Sequence, residues 1–263
     1  MKPLFVEAVG VAAPGLEGWA QALPVLRGEQ AYVPRDLSVY QPNLLPPNER
    51  RRATAAVRLA FRVAEDAMSG STFQPAELAG VFATSEGDTG ILHRLCTALA
   101  GESRAVSPTD FHNSVHNAAA GYWSIAVGAK LPSVSLSAWD ASFAAGLLEA
   151  MTLAHGDGCK VLMAAYDIRP PDPLHATRPL QHAVGAALVL TPERTAASLA
   201  SLVVSSTQDA ETAMTDAVLE SLRRGNPAAR ALPLLQLLAR KAAGRVVLAG
   251  TGAQRWQWQV QPL

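Results

Sequence analysis

The chain has 263 residues, with 22 basic and 22 acidic side chains, so its formal net charge is zero. Hydrophobic residues supply 49% and charged residues 17%, which excludes a disordered chain and is ample for a core. The charge balance excludes a general nucleic-acid binder, which needs a basic surplus, and Cys96 and Cys159 are too few for a disulfide framework.

Leu4 to Ala13 reads as a buried strand entering a Pro14-Gly15 turn, and Glu7 interrupts any signal-length apolar run. No targeting segment is expected, and the cytoplasm is the default compartment. Residues 24–48 are proline-rich without periodicity and read as a surface excursion. Pro46-Pro47-Asn48 announces a helix with Asn48 as its N-cap. In it Val57, Ala60, Phe61, Ala64 and Met68 share one face, and Ser69-Gly70 ends it.

Leu78 to Thr84 is a second strand, followed by a helix over about 90–99. Asn113 or Ser114 caps a further helix running to about residue 127, in which Ala118-Ala119-Ala120-Gly121 leaves room for close approach by a neighbour. Val134 to Ala138 is strand-like and leads at once into a helix over 140–155 that is apolar on nearly every side. The stretch Leu131 to Leu148 contains Ser133, Ser135, Ser137, Asp140 and Ser142, too polar for a membrane span.

Lys160 to Tyr166 and Ala183 to Leu190 are buried strands separated by the proline-rich linker Arg169 to Pro179, and Leu202 to Ser205 is a candidate edge strand. Helices near 210–223 and 232–243 follow, and Trp256, Trp258 and Val260 alternate with glutamines in a terminal hairpin. Strands alternating with helices predict an α/β protein with a mostly parallel sheet covered on both faces.

The junction Ser137-Ala138-Trp139-Asp140-Ala141-Ser142 is a sharp strand-to-helix turn, where free N–H groups and the helix dipole favour an anion. Asp140 at that point reads either as a helix-start anchor or as an acid/base group, but it is a poor nucleophile towards a thioester. His112 and His116 have metal-ligand spacing on one helix face, yet no HExxH pattern accompanies them and no metal is expected. No Gly-x-Ser-x-Gly elbow is present for a serine hydrolase. Arg50, Arg51 and Arg52, with Arg58 and Arg62, form either a solvated helix face or a docking patch for an acidic partner. Trp256 and Trp258 read as core or interface residues, or as the lining of a pocket.

Taken together, these segments resemble the β-ketoacyl synthase branch of the thiolase-like fold over roughly residues 4–192. Val9-Gly10-Val11-Ala12-Ala13-Pro14-Gly15 is similar to the family's opening strand and turn. Leu45-Pro46-Pro47 with Arg50-Arg51-Arg52-Ala53 and Arg58-Leu59-Ala60 is similar to its first helix. Phe111-His112-Asn113-Ser114-Val115-His116-Asn117-Ala118-Ala119-Ala120-Gly121 resembles the helix beside the synthase dimer interface. Val134 to Ala150 resembles the strand, elbow and central helix that carry the nucleophile, and Val184 to Leu190 the strand closing the N-terminal half.

The resemblance implies a mixed, mostly parallel five-stranded sheet covered by helices on both faces, with the second thiolase half missing or truncated. Residues 1–192 would be the synthase-like half and 193–263 a truncated extension packed on it. Asp140 stands where a condensing synthase has its cysteine, and no histidine follows His182 to match the family's two catalytic ones. The resemblance therefore implies a chain-length factor, the pseudo-enzyme partner of a catalytic ketosynthase, of the type associated with aryl polyene and related pigment or lipid pathways. Trp139, Asp140 and Phe143 would face its pocket. Asn113, Ser114, His116, Asn117, Gly121, Ser135 and Ser137 would form the interface with the synthase. Arg50 to Arg52 would meet an acyl carrier protein, and no cofactor is implied. A stand-alone acyl-thioester enzyme using Asp140 or a histidine, and a homodimeric acyl or aromatic binding module, are the alternatives.

Overall fold

Nine of the ten residues from Leu4 to Ala13 are buried, which requires cover on both sides of the strand they form. A computed structural model describes residues 2–263 and supplies that cover. In chain order the elements are β1 (Leu4–Ala13), β2 (Leu16–Glu17), α1 (Trp19–Arg27), α2 (Pro47–Arg52), α3 (Ala55–Ser69), β3 (Ala79–Ala83), α4 (Thr89–Ala100), α5 (Pro108–Asn113), α6 (Ala118–Val127) and β4 (Ser133–Leu136). Then come α7 (Ser142–Gly156), β5 (Val161–Asp167), α8 (Leu174–Thr177), β6 (Val184–Thr191), β7 (Ala200–Ser206), α9 (Ala217–Gly225), α10 (Leu232–Arg240), β8 (Gly244–Ala249) and β9 (Arg255–Pro262).

The strands join in one sheet of order β4-β3-β5-β6-β1-β7-β9-β8, with β2 paired to the end of β1. Mixed strand directions and helices on both faces agree with the expected class, but five strands and a mostly parallel sheet do not. Among the described residues nine strands pair, and only β3 with β4 and β3 with β5 are parallel. The other six pairings are antiparallel. The reason is that residues 200–262 add three strands beyond β1, and β5 and β6 are direct antiparallel neighbours. For the same reason β7 is an interior strand between β1 and β9 rather than an edge.

Alternate residues feed two cores. Val9, Val81, Met163 and Leu188 join the core that contains α7, α1 and α10, while Ala8, Phe82, Leu162 and Val189 join that of α3 and α6. Small residues let α3 lie close on the sheet. A Cβ on Gly10 would stand 2.1 Å from the Val63 carbonyl oxygen. The expected single helix over 49–68 is two. α2 ends at Arg52, and Thr54 starts α3 by accepting the Val57 N–H at 3.3 Å. Asn48 lies inside α2, whose cap position is Pro46. α1, which contains Pro24, occupies part of the segment read as irregular. The helix expected from residue 114 begins at Ala118, and the one expected from 210 begins at Ala217, capped by Asp216. Among the described residues no helix is long and apolar enough to cross a membrane.

Candidate functional site

The parallel strands β3, β4 and β5 all end on one side of the sheet, the usual place for a site in such a layout. A polar cluster is built there. Asp167, ending β5, is buried, and its Oδ1 accepts from the Ser85 N–H at 2.7 Å, Ser85 Oγ at 2.8 Å and Thr84 Oγ1 at 3.0 Å. Ser137 Oγ in turn donates to the Ser85 carbonyl at 2.6 Å, tying the end of β4 to the end of β3. Burial pushes the Asp167 carboxyl up to about 6, against the lowering effect of these donors and of nearby Arg178. Asn226, also buried, donates to the carbonyls of Asp167 at 3.3 Å and His182 at 2.9 Å.

The turn after β4 carries Trp139 at φ +55°, a left-handed conformation that is uncommon for a bulky residue. Trp139 is therefore the apex of the elbow, and Asp140 follows it in a 3-10 turn leading to α7. Ser142 Oγ accepts from the Ala138 N–H at 3.0 Å and donates to the Trp139 carbonyl at 2.7 Å, bracing the turn from inside. From outside comes Arg178. Its Nε lies 2.7 Å from Glu86 Oε1 and its Nη2 2.7 Å from Asp140 Oδ1, as close ion pairs off the N–H axes. Its guanidinium carbon sits 3.9 Å from the centre of the Trp139 ring. Burial raises the Glu86 carboxyl, opposed by the Arg178 charge.

Sequence reasoning placed Trp139, Asp140 and Phe143 on a common pocket. The structure separates Phe143 from the other two: it is fully buried in the core, while Trp139 is 57% exposed as a residue and, with Asp140, meets the Arg178 guanidinium. The turn contains no cysteine. Cys96 lies exposed on α4, and Cys159 follows the far end of α7, about 20 Å along that helix from the elbow. Arg178, Glu86 and Asp167 were not singled out. The available signals were a carboxylate ending an apolar strand and an arginine, one of two, inside a long linker between two strands.

The expected interface residues surround one edge of the sheet. Among the described residues β4 pairs only with β3, and α6 and α7 lie beside it on opposite faces. Of the twelve large apolar side chains exposed among the described residues, seven fall between Leu92 and Trp139, including Phe111, Val115, Ile125 and Leu131. His112, Val115, Asn117, Gly121, Tyr122 and Ile125 line a groove of about 160 Å³ along α6. Ser114, His116, Asn117 and Gly121 are exposed there, and Ser135 is half-buried on β4. Asn113 departs from the expectation: it is buried, and its Nδ2 donates inward to the Arg52 carbonyl at 3.2 Å. Ser137 is exposed as a residue, but its hydroxyl is spent on Ser85. His112 lies on α5 and His116 in the turn before α6, so they do not share a helix face. Among the described residues no group of three or more His, Cys, Asp or Glu could hold a metal ion.

α7 does not need a partner to cover it. It packs on β3, β5 and β6, and the turn at 228–231 from the chain's own C-terminal segment closes over it. The arginine cluster is largely occupied. Arg50 donates to the carbonyls of Asn43 at 3.0 Å and Leu45 at 2.9 Å, and Arg58 to that of Ala53 at 3.0 Å. Arg62 pairs with Glu17 at 2.8 Å. Arg51 bonds Asn48 and Arg52 lies 3.6 Å from Glu49, but both remain exposed.

The model of the β-ketoacyl synthase N-terminal domain matches residues 25–259. No curated protein matches the chain. Among solved structures, a ketosynthase (ApeO) in complex with its chain length factor (ApeC) from Xenorhabdus doucetiae aligns with TM-score 0.74 and 23% identity, covering 98% of this chain and 99% of that one. The ishigamide ketosynthase/chain length factor aligns with TM-score 0.74 and 13% identity over 99% of each chain. A β-ketoacyl synthase from Burkholderia phymatum aligns with TM-score 0.73 and 13% identity over 100% of each. At these identities the likeness speaks for a shared thiolase-like ketosynthase fold.

Proposed function

The chain belongs to the β-ketoacyl synthase N-terminal-domain family, and from that premise we propose that it is a non-catalytic, ketosynthase-like subunit that pairs with an active ketosynthase. The observation that carries this reading is the elbow. Condensation needs an activated thiolate, whereas this turn presents Trp139 and Asp140, and the Asp140 carboxylate is held by Arg178. A carboxylate tied to a guanidinium is poorly placed as a base, which disfavours a stand-alone enzyme working through Asp140. The apolar edge around β4 and α6 supplies the surface for pairing.

In this reading Trp139 and its neighbours bound the space available to the partner's growing acyl chain, in a fatty-acid or polyketide-type pathway like those making aryl polyenes. Arg51 and Arg52 are the exposed cations available to an acyl carrier protein, while Arg50 serves the fold. The cytoplasm is the proposed compartment.

Co-expression with a ketosynthase retaining its cysteine tests the proposal. The expected result is a 1:1 complex burying more than about 2,000 Å², as permanent partners do. A chain that remains monomeric beside every ketosynthase, or a stable homodimer binding acyl ligands alone, overturns it.

A further inference from the structure

β5 and β6 are antiparallel neighbours in register from Val161↔Leu190 to Asp167↔Val184, yet sixteen residues, 168–183, connect them. Such neighbours need only about 2–5 connecting residues, whereas this connection is far longer and carries the one-turn α8. This strap is anchored by buried Pro170 and Leu180, while Asp172, Pro173, Ala176 and Thr177 are exposed. From it the Arg178 side chain, only 11% exposed, reaches Glu86 after β3 and both Trp139 and Asp140 after β4. A bulky residue keeps a left-handed conformation only where its surroundings enforce it. Ser142 braces the Trp139 carbonyl from the helix side, and Arg178 holds the ring and the following carboxylate from the strap side.

We propose that Arg178 is a latch: it fastens strap 168–183 over the elbow and holds Trp139 in one conformation, so that the surface beside β4 meets its partner in a single shape. The last clause rests on the pairing reading above; the latch itself does not. Arg178 is thus a positioning residue acting through Trp139.

Hydrogen exchange on the isolated full-length chain tests the latch, with the wild type compared against Arg178→Ala and Arg178→Lys. Arg178→Ala is expected to speed exchange at 138–142 and 170–180 by about tenfold or more, the scale of a lost charged contact, with β1, β5 and β6 unchanged. Lysine keeps the charge but not the planar fork that stacks on a ring, so Arg178→Lys falls between the two. Millimolar ethylguanidinium restores protection to the alanine variant. Unaltered exchange at the elbow, or equal acceleration throughout the sheet, overturns the latch. Should Arg178→Ala fail to fold, wild-type protection at 138–142 in Arg178→Lys overturns it equally. Affinity for the ketosynthase is measured separately: faster elbow exchange with unchanged affinity overturns the partner clause alone, and absence of any partner overturns the pairing reading while exchange still decides the latch.

Discussion

Asp167 concentrates the physics of this site in one carboxyl group. Its three donors favour the charged form, but complete burial wins and raises it to about 6 from the ordinary 3.8. The folded chain therefore holds this proton at a pH where the unfolded chain has released it. The group's contribution to stability is greatest below about pH 4, falls as pH rises towards 6, and is flat above. Urea unfolding of the wild type and Asp167→Asn across that range should show a stability difference with this slope. A difference independent of pH would mean the carboxyl titrates normally. Glu7 behaves in the opposite sense: burial opposes its charge, but donors from Thr72, Thr195 and Ser71 keep its carboxyl below the usual value, so its stabilisation is lost on acidification. Gly10 offers a purely steric test. Its missing Cβ is what admits the α3 backbone, so Gly10→Ala should cost about 1–3 kcal/mol in the same assay, the range for overpacking.

The two edges of the sheet are treated differently. Along β8, Thr212 closes the strand: its N–H donates to the Val247 carbonyl at 3.0 Å and its Oγ1 accepts the Val247 N–H at 2.8 Å. Among the described residues β4 has no such cover, and exposed apolar side chains lie on the segments next to it, Ile125 on α6 and Leu131 and Trp139 at its two ends, so the two edges differ as a solvent edge and an association edge would. Gly121 on α6 separates stability from pairing, because a Cβ there would meet nothing within 4 Å. Gly121→Ala should stabilise the isolated chain by about 0.5–1 kcal/mol through helix propensity while weakening a closely packed partner contact. Thermal melts and titration with the ketosynthase read the two effects; unchanged affinity in both Gly121→Ala and Ile125→Asp would place the contact elsewhere. Elements with strong local signals were legible. β1, β5 and β6 are apolar runs because both faces are covered, and the 3.6-residue pattern of α3 is unmistakable. The break at Ala53-Thr54 escaped notice because the arginines before it continue a helix-compatible pattern, and α1 because Pro24 sits inside it. The closed elbow was not legible at all: Arg178 reaches Asp140 only through the pairing of β5 with β6, a long-range fact that no local spacing carries.

Residues 193–263 decide how the chain behaves as one body. β7 pairs with β1 on one side and β9 on the other, and Trp258 on β9 is fully buried. The turn at 228–231 covers α7, and Asn226 grips the carbonyls of Asp167 and His182 beside the elbow. A boundary at 192 therefore cuts through continuous strand pairing and through the core shared by Leu4, Leu202 and Val260. Loss of residues 193–263 would uncover the α7 face and leave the start of β1, Leu4 to Val6, as an unpaired apolar edge, the condition that favours aggregation. We expect the full chain to unfold in one cooperative transition, with fluorescence and circular dichroism coincident. A fragment ending at 192 should bind ANS, lose its near-ultraviolet signal and aggregate. Trp258→Ala should weaken the whole chain by about 3–5 kcal/mol, the usual cost of emptying a buried aromatic site. A soluble 1–192 fragment with native near-ultraviolet dichroism would show instead that residues 1–192 fold alone and that the three later strands are an appendage.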